Sequence, residues 1–408
     1  MQNDLRTRRS SVLFVCFLAF VGVYTTVFSW IMARVSSPWV VGDWLVNYSG
    51  GFVRRGLMGS LMLGVERISH VPANWIVFVV QIALFVMFLI NVERLSRGMR
   101  WTYLMAAILL SPATIAFTVQ DSYAGLRKEI LLFAGLAWAV RVIAEGRWRD
   151  WQMSLMLTVL AVVLVLSHEA LVVGTPYLFA ALLIQTADLK RTLKICLVPA
   201  ICGGAALVAV ALHTGNNAQA LAICSAVGGT LPPYGGDAPA VGSPGICSGS
   251  IWWLGLSGAE ARAIFVPVIW ATGMVPRFVV LSLLAWVPMF LQLVLFFRRD
   301  GMRREMTVMF WCCLLSLIGT AGLFYTALDW GRWVHMQALS LMLIIMMIDG
   351  RAPRTPVSSN AVPRFSWRGA VAFAVVFVYA TSWTLPSIGV FKIGHGYLEN
   401  IRMLRHMK

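Results

Sequence analysis

An all-α, polytopic integral membrane protein of about eleven transmembrane helices is the fold class this sequence predicts, and three observations predict it. Of 408 residues, 59% are hydrophobic and only 12% charged, with a mean hydropathy of +0.78. A soluble domain would carry roughly a quarter charged and about 45–50% apolar residues. The apolar residues are also gathered in runs near the ~20 residues that a bilayer crossing needs. Finally, the net charge of +16 is spread unevenly between the loops, as membrane orientation demands. These properties exclude a soluble enzyme, a disordered chain and a nucleic-acid binder.

In chain order the expected spans are 12–34, 75–93, 101–119, 129–143, 152–167, 170–187, 195–213, 277–297, 306–327, 334–348 and 369–386. The first follows Arg6, Arg8 and Arg9. It is too long for a signal-peptide core and lacks a cleavage site, so it reads as a retained span. Segments 129–143 and 334–348 are short and would extend into their charged flanks. Residues 152–187 could form one kinked helix. We divide them at Ser167-His168-Glu169, because a charged Glu at mid-membrane is costly and basic clusters flank both sides.

With the N-terminus in the cytoplasm, twenty of the 33 Lys and Arg residues fall in the six inside segments, as the positive-inside rule requires. All six histidines and nine of the seventeen acids fall on the outer side or its membrane boundary. The functional face is therefore expected on the outer side. The whole chain, 1–408, reads as a single transmembrane domain with two long outer segments. In residues 35–74, the stretch Gly56–Arg67 reads as an interfacial helix. Residues 214–262 are rich in Gly and Pro and read as turns, a lid or a binding loop. Residues 349–368 read as a solvated linker, and Phe391–Lys408 as a basic interfacial helix whose side depends on the span count. Cys224 and Cys247 lie in the second outer segment and can pair if it faces an oxidising compartment. The other five cysteines lie in apolar runs.

Four outer turns carry the chemically diverse residues. The first, after span one, holds Asp43, Trp44, Gly50-Gly51 and Arg54-Arg55. Paired guanidiniums can grip phosphate oxygens bidentately, and the carboxylate could act as a base on a sugar hydroxyl. The alternative is headgroup anchoring by the arginines, with Asp43 as their partner. The second turn holds Asp121, Arg127, Lys128 and Glu129: an anion site, or a local salt-bridge set at a helix start. The third is His168-Glu169, a shallow ionisable pair that is costly unless partnered. The fourth, Asp329-Trp330-Gly331-Arg332-Trp333-Val334-His335, could present Arg332 and His335 to a lipid diphosphate or hold a simple Asp329/Arg332 ion pair.

No HxxxH or HExxH spacing occurs, so zinc is not expected. No cofactor is expected, and a divalent metal is indicated by no motif. The four turns together suggest arginines holding a lipid phosphate while a carboxylate deprotonates an acceptor. A transporter would place charges deep in several spans, and a scaffold subunit would tolerate their loss. An acyltransferase would need a committed histidine, His168 or His335.

An outward carboxylate directly after the first span resembles the C-type (GT-C) membrane glycosyltransferases. The pieces NYSGGFVRRGL (47–57), GLRKE (125–129), HE (168–169) and DWGRW (329–333) also resemble membrane proteins of bacterial surface-polysaccharide clusters, many called polymerases. The resemblance implies a GT-C-like fold in a bacterial inner membrane and a polyprenyl-phosphate- or diphosphate-linked sugar donor used on the periplasmic face. A glycan or lipid-linked acceptor and membrane lipids would be the partners. It would make Asp43 the base and give phosphate-binding roles to Arg54, Arg55 and Arg332. The outer turns themselves add His168, Glu169 and Asp329 as catalytic candidates and Arg127, Lys128 and His335 as phosphate-binding candidates. The usual paired acidic motif is absent, since Asp43 stands alone before Trp44. A polymerase-type reading gives Arg54, Arg55, His168 and Arg332 the leading roles and makes Asp43 structural. A lipid-linked glycan flippase is the alternative from another class.

Overall fold

The computed structural model describes residues 2–234, 245–298, 303–351 and 367–387. The basic interfacial helix expected at 391–408 and most of the 349–368 linker lie outside them.

Among the described residues the regular secondary structure is helical, with no strand. It begins with α1 (Gln2–Arg34), α2 (Val41–Trp44), α3 (Gly56–Ser69) and α4 (Ala73–Ser96). Three short helices follow, α5 (Tyr103–Leu109), α6 (Phe117–Gln120) and α7 (Ser122–Gly125), and then α8 (Glu129–Glu145) and α9 (Asp150–Ser167). A 3-10 turn (Glu169–Gly174) leads into α10 (Thr175–Thr186) and α11 (Leu189–Leu212). The second long loop contributes α12 (Asn217–Ala226) and α13 (Ser250–Leu254). The chain continues through α14 (Gly258–Ala271), α15 (Met274–Phe297), α16 (Arg303–Thr326), α17 (Trp330–Arg351) and α18 (Trp367–Thr381).

Eight described segments are long and apolar enough to cross a membrane: Val12–Arg34, Ala73–Ser96, Asp150–Ser167, Glu169–Thr186, Leu189–Leu212, Met274–Phe297, Arg303–Tyr325 and Trp330–Arg351. The chain is a multi-pass membrane protein. Its outer surface agrees: α11 exposes Leu197, Ile201 and Val208, α15 exposes Leu283 and Phe290, and α18 exposes Phe373 and Phe377. Apolar surface on that scale is not sustained in water. The bundle is organised around α17, where every residue from Gly331 to Asp349 is buried. A polar network inside it joins Gln337 to Tyr177 at 2.6 Å and to Thr320 at 2.5 Å. Such a network satisfies groups that hydrocarbon cannot.

Three expected spans are not among these eight. The span expected at 369–386 is the 15-residue α18, which ends at Thr381. Residues 101–119 form two short helices instead of one. Pro112 disfavours helical geometry at Ser111, and Thr114 Oγ1 donates to the freed Ile108 carbonyl at 2.8 Å. A broken backbone is tolerated at membrane depth where protein surrounds it, and Ser111 to Gln120 are all buried. Segment 129–143 becomes α8, 17 residues long and packed on nearly all sides.

The division at 167–169 holds, because α9 ends at Ser167 and His168 is extended (φ −166°, ψ 116°). Gly56–Ser69 is a helix exposing Leu61, Val65 and Ile68. In the second long loop, a disulfide between Cys224 and Cys247 ties α12 to the turn that precedes α13. Its Gly- and Pro-rich run at 235–244 lies outside the described residues.

Helix ends fall into two sets. One holds the starts of α4, α8 and α17 and the ends of α9 and α16. The other holds the Arg100–Asp349 pair at 3.0 Å and the Arg191–Asp150 pair at 2.7 Å. Arg332 and Asp349 on α17 are about 25 Å apart at 1.5 Å per residue, close to the hydrocarbon thickness of roughly 30 Å.

Candidate functional site: an arginine-walled cavity at one face

The site is assembled from four connecting segments that meet at the same end of the bundle. After α2, the loop from Leu45 is shaped by Asn47, whose Oδ1 accepts from the Ser49 amide at 2.9 Å. The Arg54 amide donates to the His213 carbonyl at 2.9 Å. Arg55 follows in left-handed geometry (φ 69°), an uncommon conformation for a long side chain. Both of its ends are held. Lys128 Nζ donates to its carbonyl at 2.9 Å, and its guanidinium grips Glu169 through Nε (2.9 Å) and Nη2 (2.5 Å).

The second segment is anchored by Asp121. Its carboxylate accepts from the Ala124 amide at 3.1 Å and the Ser387 amide at 2.7 Å, so Asp121 is a helix cap and a tie. Gly125 then passes close to Thr118, where a Cβ would lie 2.5 Å from Thr118 Cα. The Leu126 carbonyl accepts from Gln81 Nε2 at 2.6 Å and Trp44 Nε1 at 3.3 Å. Gln81 lies eight residues into α4, so this turn is sunk roughly 12 Å below the start of that helix. Arg127, Lys128 and Glu129 are therefore buried.

In the third segment, His168 Nδ1 accepts from the Ala170 amide at 3.2 Å. That contact uses the Nδ1 lone pair and leaves the proton on Nε2 in the neutral ring. Burial, followed by the charge of Arg55, holds the imidazole well below its ordinary range. The fourth segment turns from α16 into α17, with Trp330 Nε1 donating to the Ala327 carbonyl at 2.9 Å. Asp329 Oδ2 accepts from Arg332 at 2.5 Å and Arg127 at 3.4 Å, and Arg332 Nη2 donates to Glu129.

Above these segments lies a cavity of about 280 Å³. Arg54, Arg55, Arg127, His168, Glu169 and Asp329 line it, so six of the ten residues expected to do chemistry converge there. Its apolar wall includes Trp39, Trp253, Phe265, Leu323, Leu328 and Trp333. An electropositive patch facing aromatic and aliphatic surface fits an anion carrying an apolar group.

Asp43, Lys128 and Arg332 lie beneath this wall. Asp43 is fully buried, and neither carboxylate oxygen has a hydrogen-bond partner among the described residues. Arg127 stands 3.7 Å away. Burial pushes the Asp43 carboxyl up, but Arg127 and Lys128 outweigh it and hold the group below its ordinary value of 3.8. Lys128 is pushed down to about 8 by burial, which outweighs the attraction of Asp43; Arg55 and Arg127 lower it further, against Glu169.

His335 is not brought to the site. It stacks on Phe117 at 4.0 Å, its Nδ1 lies 2.9 Å from the Ala113 carbonyl, and it borders a small apolar pocket with Phe85 and Phe88. The i,i+3 spacing that suggested a shared role with Arg332 instead places it one turn deeper.

Sequence reading missed Trp39, Ser250, Trp253, Arg262 and Phe265 on the cavity wall. One signal was legible: Ser257 and Glu260 form a capping box before an apolar run, which marks the start of α14. Among the described residues, no group of three or more His, Cys, Asp or Glu side chains is disposed to hold a metal ion. Searches for a matching family model, a similar curated protein and a similar solved structure found none.

Proposed function

We propose that this protein is a membrane glycosyltransferase that draws its sugar from a polyprenyl-phosphate- or diphosphate-linked donor in surface-polysaccharide assembly. The observation that carries the reading is the cavity itself, in which Arg54, Arg55 and Arg127 share a wall with aromatic and aliphatic residues. The arginines would hold the lipid phosphate and stabilise charge on the leaving group. The aromatic wall would take the first part of the lipid or a sugar face.

Asp329 is the best candidate for deprotonating the acceptor, because it lines the cavity and its ion pairs run through Oδ2. Asp43 keeps the buried guanidiniums apart and compensated. His168, with Nδ1 occupied, is suited to donate from Nε2 and not to accept a proton. The disulfide in the second long loop supports placing this face in an oxidising compartment, and the basic residues near the opposite helix ends support a cytoplasmic position there.

The polymerase-type version, in which a whole glycan block is transferred, is favoured by one observation. The carboxylate that a GT-C resemblance makes the base, Asp43, contributes nothing to the cavity wall.

Complementation in cells lacking the chain tests the reading, with Arg54→Ala, Arg127→Ala and Asp329→Asn compared at matched membrane levels. Loss of mature surface glycan, with lipid-linked precursor accumulating on the outer face, is expected for all three. Precursor trapped on the cytoplasmic side would identify a flippase instead. Unchanged glycan in the cells lacking the chain would end the polysaccharide reading.

A further inference from the structure

Among the described residues, the charges lining the cavity do not cancel. Arg54, Arg55, Arg127 and Arg262 face it, against Glu169 and Asp329, which leaves two positive charges on the wall. Beneath the wall, Lys128 and Arg332 are matched by Asp43 and Glu129, so the floor adds no net charge. Arg54 and Arg55 both pair with Glu169, and Arg127 stands between Asp43 and Asp329.

Arg262 differs from these three. It projects from α14, and no ion pair joins it to a carboxylate of the described residues. Glu260, on the same helix, is turned back to accept from the Ser257 amide at 2.8 Å. Arg262 is exposed, so its guanidinium meets a ligand without first breaking an ion pair. Ala261 and Phe265, on the same helix, continue the apolar wall.

We propose that the cavity takes a lipid anion with two charges, a diphosphate diester, and that Arg262 reads the second one. This rests on the lipid-phosphate reading above and narrows its substrate class. A phosphate monoanion linking lipid and sugar brings one negative charge and would leave the wall unbalanced. A diphosphate diester brings two, one for the Arg54–Arg55–Arg127 group and one for Arg262. Arg262 is then a specificity residue, with the cation recruited from a different helix.

The test is a binding titration of the purified full-length protein with two capped probes. Farnesyl methyl phosphate carries one charge and farnesyl methyl diphosphate two, on the same lipid group. The native protein is expected to prefer the diphosphate by about tenfold or more, the worth of a charge-assisted contact. Arg262→Gln is expected to bring the two affinities within about twofold of each other, with monophosphate binding unchanged, while Arg262→Lys retains most of the preference. Equal affinities in the native protein, or a preference that survives Arg262→Gln, would overturn the assignment of Arg262 while leaving lipid-phosphate binding in place. Failure of the native protein to bind either probe would overturn the lipid-phosphate reading and this inference with it.

Discussion

Arg55 and Glu169 meet through two parallel contacts, Nε at 2.9 Å and Nη2 at 2.5 Å, although 114 positions separate them. Arg54 reaches the same carboxylate at 3.3 Å. One acid thus holds two adjacent guanidiniums at the cavity wall and ties the first long loop to the α9–α10 turn. Glu169 is also a built-in competitor for any anion that enters.

Replacing Glu169 by Gln should therefore separate stability from binding. The two guanidiniums lose their charged partner, and unfolding stability should fall by about 2 kcal/mol. The affinity for a phosphate-bearing lipid should rise, since the competing carboxylate is gone. Thermal unfolding in detergent together with a lipid-phosphate titration checks both, and a weaker affinity would contradict the role assigned to Arg54 and Arg55.

Asp43→Asn should act through folding. Removing the buried charge leaves Arg127, Lys128 and Arg332 undercompensated, at a cost of about 3–5 kcal/mol. The Asp43 carboxyl is held below its ordinary value of 3.8. Its contribution is therefore present above that value and lost as the pH falls through the folded-state value. The gap in stability between native protein and Asp43→Asn should be full at pH 6 and shrink below about pH 4. Denaturation curves measured across that range would show it.

Lys128 should give anion binding a pH step. Its amine titrates near 8 in the folded protein against an ordinary 10.5, so a positive charge under the cavity disappears as the pH passes 8. Lipid-phosphate affinity should weaken across that step, and Lys128→Met should remove the step. Stability runs the other way: between 8 and 10.5 the unfolded chain binds more protons, so raising the pH there stabilises the fold. An unchanged pH profile in Lys128→Met would assign the step to another group.

The Cys224–Cys247 disulfide closes a separation of 23 residues, worth about 3 kcal/mol by loop-closure entropy. Cys224→Ser/Cys247→Ser should lower the unfolding midpoint. Because α13 carries Ser250, Trp253 and Leu254 on the cavity wall, the same variant should also weaken lipid binding. Reducing agent added to the native protein should reproduce both effects.

Legibility differed from residue to residue. Arg54, Arg55, Arg127, His168, Glu169 and Asp329 stood out as charges in outer turns, and they converge on one cavity. Asp43 stood out for the same reason, yet it is sealed beneath the wall. Position in a loop does not tell which way a side chain is covered. His335 has the spacing of a site residue, but one helical turn carried it into an aromatic pocket. Arg262 appeared only as the end of the second long outer segment, and no carboxylate of the described residues pairs with it. The break at Ser111-Pro112 was written in the proline, but hydropathy averaged over the run concealed it.

The sequence alone determined that the chain is helical, that it crosses a membrane many times and that its ionisable residues gather near helix ends. Those properties follow from the hydropathy of consecutive residues, which a bilayer reads locally. Only the tertiary structure decided which charges meet. The pairs Arg55–Glu169, Arg127–Asp329 and Arg332–Glu129 join positions 114, 202 and 203 apart. Such pairings depend on how the helices pack around α17, and that packing gathers Arg54, Arg55 and Arg127 on the wall of one cavity.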